Sequence, residues 1–489
     1  MTKTMENHTA KYQMFRAKYP EFIYHSYDIQ ETDTELAVTY HFEITGLAQF
    51  APTWRFPKPQ EKAGQTPSMD MAENQKNMEK EEKDVLLEQM IFSLGMVELV
   101  SYWKITCSPR VLVQAGSLDQ KQIDWWKDLY FNGLGEFFYV NHIDGADGET
   151  FMEIQAVSQS PAPAAAFASA ASTPGPGTRV LVPIGGGKDS VVTLELLKEA
   201  GAERFGYIIN PRGATVHTAE VAELPAEQVI SAKRTLDKNM LELNKQGFLN
   251  GHTPFSAIVA FSALIAARLY QLPYIALSNE SSANESTVQG STVNHQYSKS
   301  FRFEQDFHEY ADVYLPGSSY YFSMLRPLSE FQIAKYFAGC KAYHKIFRSC
   351  NVGSKTDIWC GHCPKCLFVY LILSPFLKTG EVADIFGRNM LEDETLTGTL
   401  EQLVGIQEEK PFECVGSRSE INTAIMLTIR RMELEGEKLP VLFEYYKKTG
   451  LYEQYCGAGD AYSGAFDEEN LVPEPWKELV RQRCAQTER

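Results

Sequence analysis

The sequence predicts an α/β chain with a parallel-sheet domain over residues 178–375. An α+β domain over 1–155 precedes it and a mainly helical region over 376–489 follows. Three observations predict this. In the middle of the chain the short apolar runs "RVLVPI", "FGYIIN" and "PYIALS" alternate with helical stretches, the pattern of strands joined by crossover helices. Residues 20–56 alternate apolar with polar side chains and are rich in Tyr, Phe, Val and Thr. Residues 156–177, including "SQSPAPAAAFASAASTPGPG", are dominated by Ala, Pro and Ser and cannot build a core, so they read as a linker.

Taken in chain order, residues 20–56 predict two to four strands with a turn near 31–33. Residues 58–83 are polar and charged and predict a loop. "KDVLLEQMIFSLGMVELVSYWKIT" has helical periodicity, and "LDQKQIDWWKDLYFNGLGEFFYVN" predicts another helix. "FSAIVAFSALIAA" is the longest uncharged apolar stretch. It is too short to span a bilayer and predicts a buried helix. The start, "MTKTMENHTAKYQ", has no apolar segment of the secretory kind, so a cytoplasmic location is expected.

The formal net charge of −17 argues against a nucleic-acid partner held by overall charge, and no membrane association is expected. The acidity is uneven. Residues 179–375 hold 19 basic and 17 acidic side chains, so the excess lies in the flanks. A near-neutral middle suits a small anionic ligand better than a long polyanion.

"GGGKDS", with Gly185, Gly186, Gly187, Lys188, Asp189 and Ser190, follows a strand and opens a helix. Glycines let main-chain amides approach an anion, and a helix N-terminus adds partial positive charge. A tight turn with an ordinary cap would read the same way. The stretch is not a Walker A loop, because Asp189 rather than Ser or Thr follows Lys188, and its glycine spacing is not that of a dinucleotide fingerprint. It resembles the S-G-G-x-D-S loop of the N-type ATP pyrophosphatases (PP-loop enzymes), with Gly185 in place of the first Ser. The resemblance implies that Gly186 and Gly187 offer amides to ATP phosphates. It also implies that Asp189 sits near Mg²⁺ and that Ser190 donates to phosphate.

"CNVGSKTDIWCGHCPKC" crowds Cys350, Cys360, Cys363 and Cys366 together. Two C-x-x-C steps plus a fourth thiol can close a tetrahedral zinc site, and four thiolates leave no open position, so a structural Zn²⁺ is expected. An iron–sulfur cluster and a pair of thiols working as acid and base are the alternatives. The spacing resembles the zinc site of 7-cyano-7-deazaguanine synthases, which share the pyrophosphate loop but are much shorter.

The stretch after the third strand, from Ile275, holds Asn279, Glu280, Asn284, Glu285, Asn294, His295, Gln296, Tyr297, Lys299 and Arg302. Ligands bind beyond the carboxyl ends of parallel strands, so this mixed chemistry is in the expected place, although a solvated polar loop would look similar. His252 stands before an apolar helix, beside the capping residue Thr253.

Together, "FEITGLAQFAPTWRFP", "VPIGGGKDS", "GFLNGHTPFSA", "LSNESSANEST", "VNHQYSKS", "CGHCPKC" and "KPFECVG" resemble the UDP-N-acetylmuramoyl-L-alanyl-L-glutamate epimerase (MurL) family. The resemblance implies an ATP-dependent inversion of the terminal L-Glu of a peptidoglycan precursor. The implied chemistry is coherent. An α-proton is hard to remove beside an ionised carboxylate, and converting that carboxylate to an acyl adenylate removes the charge. Each unit taken off the carbon acid's pKa lowers the cost of deprotonation by about 1.4 kcal/mol. His295 is then the first acid/base candidate, with Tyr297 and Lys299 next and His252 behind. Arg302 or Arg212 would hold a carboxylate or diphosphate. The N-terminal domain would recognise the UDP-sugar of a small UDP-linked dipeptide substrate. The rivals are an ATP-dependent amide- or nitrile-forming ligase, a nucleotide-binding regulator that has lost the reaction, and a transfer-RNA modifying enzyme.

Overall fold

The computed structural model describes residues 8–60, 73–143, 146–156, 173–285, 287, 293–456 and 461–485. Most of the linker expected over 156–177 lies outside the described residues. So do 61–72 of the loop expected over 58–83, and a helix already runs from Glu73. Eleven strands are described: β1 (Glu21–Glu31), β2 (Glu35–Ile44), β3 (Ala48–Phe50), β4 (Thr53–Pro57), β5 (Arg110–Val113), β6 (Glu153–Ala156), β7 (Arg179–Pro183), β8 (Glu203–Ile209), β9 (Val229–Thr235), β10 (Tyr274–Leu277) and β11 (Tyr320–Ser323). The molecule is α/β, with a mixed sheet and a helical C-terminal region.

The chain forms two compact units that interleave along the sequence. The first gathers Met1–Ala171, Ile230–Ile275 and Gln305–Tyr321, and the second Ser172–Val229, Ala276–Glu304 and Phe322–Arg489. Segments inside 178–375 therefore pack with the N-terminal part.

In the first unit the strands run β9-β4-β2-β1-β5-β6, with β3 beside β2. The alternation read in the sequence is the reason: Leu36, Val38, Tyr40, Phe42 and Ile44 of β2 all point into the core. The helix Glu73–Trp103 lies over that face. Gly95 allows the close approach, because a Cβ there would stand 2.0 Å from the Tyr24 hydroxyl. Tyr40 Oη donates to the Ile91 carbonyl at 3.0 Å and fixes the helix to the sheet.

The segment Val85–Trp103 is long and apolar enough to cross a membrane, but 78% of it is buried inside the fold. It carries Glu98, fully buried, which accepts from Arg234 at 2.8–3.2 Å and from Trp54 Nε1 at 3.2 Å. A buried carboxylate held by a guanidinium fork belongs to a protein core.

In the second unit the order is β11-β10-β7-β8, with β7 and β8 parallel. Residues 276–277 of β10 and 322–323 of β11 belong to this unit. The helix Lys188–Glu199 packs on β7 and β8, and the helix Glu330–Gly339 packs on it in turn. The helices Pro364–Leu373 and Arg418–Glu435 form the apolar centre of the C-terminal region. Neither β9 nor β11 was expected from the sequence. "VISAKRT" carries two adjacent cations, Lys233 and Arg234, and "YYFS" spans only four residues.

Candidate functional site

The second unit brings six separate segments together beyond the carboxyl ends of its strands, where open α/β sheets bind ligands. The first is the glycine turn after β7. Gly186 has φ +81°, a left-handed conformation that favours glycine, and a Cβ there would meet Ala214 at 2.9 Å. Its carbonyl accepts from the Arg348 amide at 2.7 Å. Gly187 is the N-cap of the helix Lys188–Glu199, and the Ser190 hydroxyl donates to the Gly187 carbonyl at 3.1 Å. Gly185 faces open space, so a side chain there would meet no neighbour.

Lys188 is buried at 3% exposure, and its ammonium lies between the carboxylates of Asp189 and Glu330. Glu330 is the first residue of its own helix, directly after the Ser329 cap. Burial pushes the Glu330 carboxyl up, and the attraction of Lys188 is offset by repulsion from Asp189 and Glu280. Burial would also raise Asp189. The ammoniums of Lys188, Lys365 and Lys299 outweigh it and hold Asp189 below the usual carboxylate range.

Past β10, Glu280 is buried and Asn279 donates to Ser323 Oγ at 3.0 Å. Asn294 orders the next turn, donating to the Ala283 carbonyl at 2.8 Å and accepting from the Gln296 amide at 2.7 Å. The His295 amide donates to Thr287 Oγ1 at 3.0 Å. Tyr297 is buried, with the Arg302 guanidinium 5.8 Å from its ring centre. Lys299 Nζ donates to Cys414 Sγ at 3.2 Å.

His295 and Lys299 therefore share one neighbourhood with Asp189, Lys365 and Cys414. His252 belongs to the first unit, where its Nδ1 lies 3.1 Å from a Glu136 carboxylate oxygen. Arg212 caps the helix Gly213–Val221 and donates to Ser354 Oγ at 2.7 Å.

The four cysteines converge. Cys350–Cys363, Cys360–Cys366 and Cys363–Cys366 sulfurs are 3.7, 3.6 and 3.4 Å apart, and all four lie within 4.8 Å of one another. A tetrahedral ion bonded to sulfur at about 2.3 Å separates its sulfurs by about 3.8 Å, so the donor set fits zinc. The Gly353 amide donates to Cys350 Sγ at 3.2 Å, the kind of support a metal-bound thiolate receives. Lys365 stands between Cys363 and Cys366 and reaches the main-chain carbonyl of Cys414. The cysteine cluster thereby flanks a lysine of the site.

Glu330, Lys365, Arg326 and Cys414 escaped the sequence reading. For Cys414 the available signal was its place in "KPFECVG", outside the cysteine cluster.

Two family models cover most of the chain: the MurL N-terminal domain matches residues 14–324 and the MurL C-terminal domain residues 342–449. The chain belongs to the MurL family. Three relatives bear the name UDP-N-acetyl-alpha-D-muramoyl-L-alanyl-L-glutamate epimerase. The Xanthomonas oryzae pv. oryzae protein is 38% identical over 71% of this chain and 76% of its own length. The Micromonospora sp. protein is 35% identical over 68% and 73%. The Salinispora tropica protein is 32% identical over 71% and 74%. No solved structure matches.

Proposed function

We propose that this MurL-family chain inverts the terminal L-glutamate of UDP-N-acetylmuramoyl-L-alanyl-L-glutamate to D-glutamate. In this reading it consumes ATP, passes through an acyl adenylate and releases AMP and pyrophosphate. One observation carries the reading. A glycine turn at a helix N-terminus opens beside Asp189, two further lysines and a thiol, at the carboxyl ends of parallel strands. This arrangement supports the reading of a PP-loop nucleotide site joined to acid/base groups.

In this proposal the amides of Gly185, Gly186 and Gly187 cradle phosphate, with Ser190 closing the turn. Asp189 would hold Mg²⁺, which neutralises triphosphate charge when bound. Lys188 sets the charge balance of the turn through Asp189 and Glu330, because its ammonium is buried between them. Lys299 and Lys365 supply positive charge where an adenylate would leave. His295, Tyr297 and Lys299 are the proton-transfer candidates of this unit, and His252 is the candidate of the other. The first unit would recognise the UDP-sugar, and the reaction would proceed in the cytoplasm.

The deciding assay supplies ATP, Mg²⁺ and the UDP-linked dipeptide in deuterated water. D-Glu carrying deuterium at its α-carbon is expected, together with AMP. Ammonia-dependent AMP release without α-labelling would instead mark the ligase reading.

Cys350, Cys360, Cys363 and Cys366 would hold a structural Zn²⁺. Metal analysis of the purified chain should then find about one zinc per chain. Cys363→Ser should lose that zinc and unfold at lower temperature, since metal binding is folding free energy. Full zinc content in the variant would sink this assignment.

A further inference from the structure

Cys414 lies in the loop before the helix Arg418–Glu435, outside the four-thiol cluster. It is half-buried. Lys299 Nζ donates to its sulfur at 3.2 Å, and the His295 side chain is hydrogen-bonded to the same sulfur. Lys365, from the start of the helix Pro364–Leu373, holds its carbonyl. Glu413, next in the chain, places a carboxylate beside the thiol and opposes its ionisation. Three cationic or hydrogen-bonding side chains from two segments thus surround one thiol.

Burial would raise that thiol. The Lys299 charge, the hydrogen bond with His295 and the charges of Lys365 and His295 outweigh it and bring it down to about 6. Cys340 and Cys484, also outside the four-thiol cluster, behave oppositely. Burial, with Glu195 and Glu199 nearby, pushes Cys340 up to about 12, and burial with Glu199 does the same to Cys484. The Lys299 ammonium that faces Cys414 also faces Glu280 and Asp189. One lysine therefore links the thiol to the turn on which the acyl adenylate would form.

We propose that Cys414 Sγ is the base that takes the α-proton of the activated glutamyl residue, with Lys299 and His295 as its positioning residues. The inference rests on the epimerase reading above. The α-carbon–hydrogen bond breaks and a sulfur–hydrogen bond forms. The electron pair moves into the adjacent acyl group, whose carbonyl oxygen takes the negative charge. That charge returns to carbon when a solvent-derived proton reaches the opposite face, giving the D configuration. The sulfur-bound proton leaves to solvent by way of the His295 imidazole, which restores the thiolate. A base that is ionised at neutral pH yet weakly basic suits a carbon acid made acidic by adenylation.

The test uses the full chain, the UDP-linked dipeptide, ATP and Mg²⁺ in deuterated water. Cys414→Ala and the near-isosteric Cys414→Ser should still exchange pyrophosphate into ATP, within about three-fold of the wild type. Their α-deuterium incorporation and inversion should fall by about 10²–10⁴-fold. Iodoacetamide labelling of the Cys414 peptide should show a midpoint near pH 6 in the wild type. Lys299→Met should move that midpoint up by about one pH unit or more, and the acid limb of the inversion rate should move with it.

Three results overturn the proposal: inversion at the wild-type rate without the thiol, loss of pyrophosphate exchange in both Cys414 variants, or an acyl group trapped on Sγ. A wild-type chain that leaves the α-carbon unlabelled defeats the epimerase reading itself, and this inference with it. A labelled wild type beside equally labelled variants defeats the inference alone.

Discussion

Replacing Asp189 with alanine is expected to abolish pyrophosphate release and inversion together. The carboxylate stands one residue into the helix that follows the glycine turn, and it faces the ammoniums of Lys188, Lys365 and Lys299. Those lysines keep it ionised, the state needed to hold a divalent ion against a triphosphate. Removing it leaves Lys188 with Glu330 as its carboxylate partner and deletes the negative charge that faces Lys299. Losing a preorganised electrostatic group of this kind costs about 10³-fold in rate, or about 4 kcal/mol.

The fold should persist, because Asp189 is partly exposed and Lys188 keeps its buried partner. Asp189→Asn is the sharper variant, since it preserves shape and removes only charge. Pyrophosphate release by that variant at more than a tenth of the wild-type rate would mean that the turn binds nucleotide without this carboxylate. Circular dichroism melts run alongside should differ from the wild type by no more than a few degrees.

The sequence disclosed what is contiguous and hid what is assembled. The glycine turn and the cysteine cluster were legible because each lies within twenty residues and its chemistry needs that spacing. The strand-and-helix rhythm of β7, β8 and β10 was legible because buried parallel strands are short apolar runs. Glu330 was not legible. In sequence it is an ordinary acid in the first turn of a helix, after a serine cap that explains it fully. Only the fold sets it against Lys188, 142 positions earlier. Lys365 was hidden by the cysteines around it, and Cys414 by its distance from them. The interleaving of the two units was equally invisible, because no composition change marks residues 230, 276, 305 or 322.

The largest loss of stability is expected from Arg326→Met, and the reason also explains how Lys299 is aimed. Arg326 and Glu304 are buried at 0% and 1% exposure and meet through two N–H donors at 3.1 and 2.8 Å. The same guanidinium donates to the Glu280 carbonyl at 2.7 Å and to the Lys299 carbonyl at 2.5 Å. The other oxygen of Glu304 accepts the Ser323 amide at 2.8 Å. One buried cation therefore ties the loop after β10, the turn that carries Lys299 and the end of β11.

Methionine fills the space but leaves the Glu304 charge without its cation, takes the guanidinium donor from the Lys299 carbonyl and leaves the Glu280 carbonyl with the Ala283 amide at 3.4 Å. Breaking a buried pair from one side costs about 3–5 kcal/mol. For a unit of this size that lowers the melting temperature by roughly 2–4 °C per kcal/mol. Adding Glu304→Gln to Arg326→Met should recover part of the loss, because no buried charge then remains. The double variant should nevertheless stay slow, since the Lys299 turn has lost its anchor whatever happens to the charge. A single variant that melts with the wild type would show that water or another donor satisfies Glu304. A double variant that regains full activity would show that Lys299 is held by its own turn.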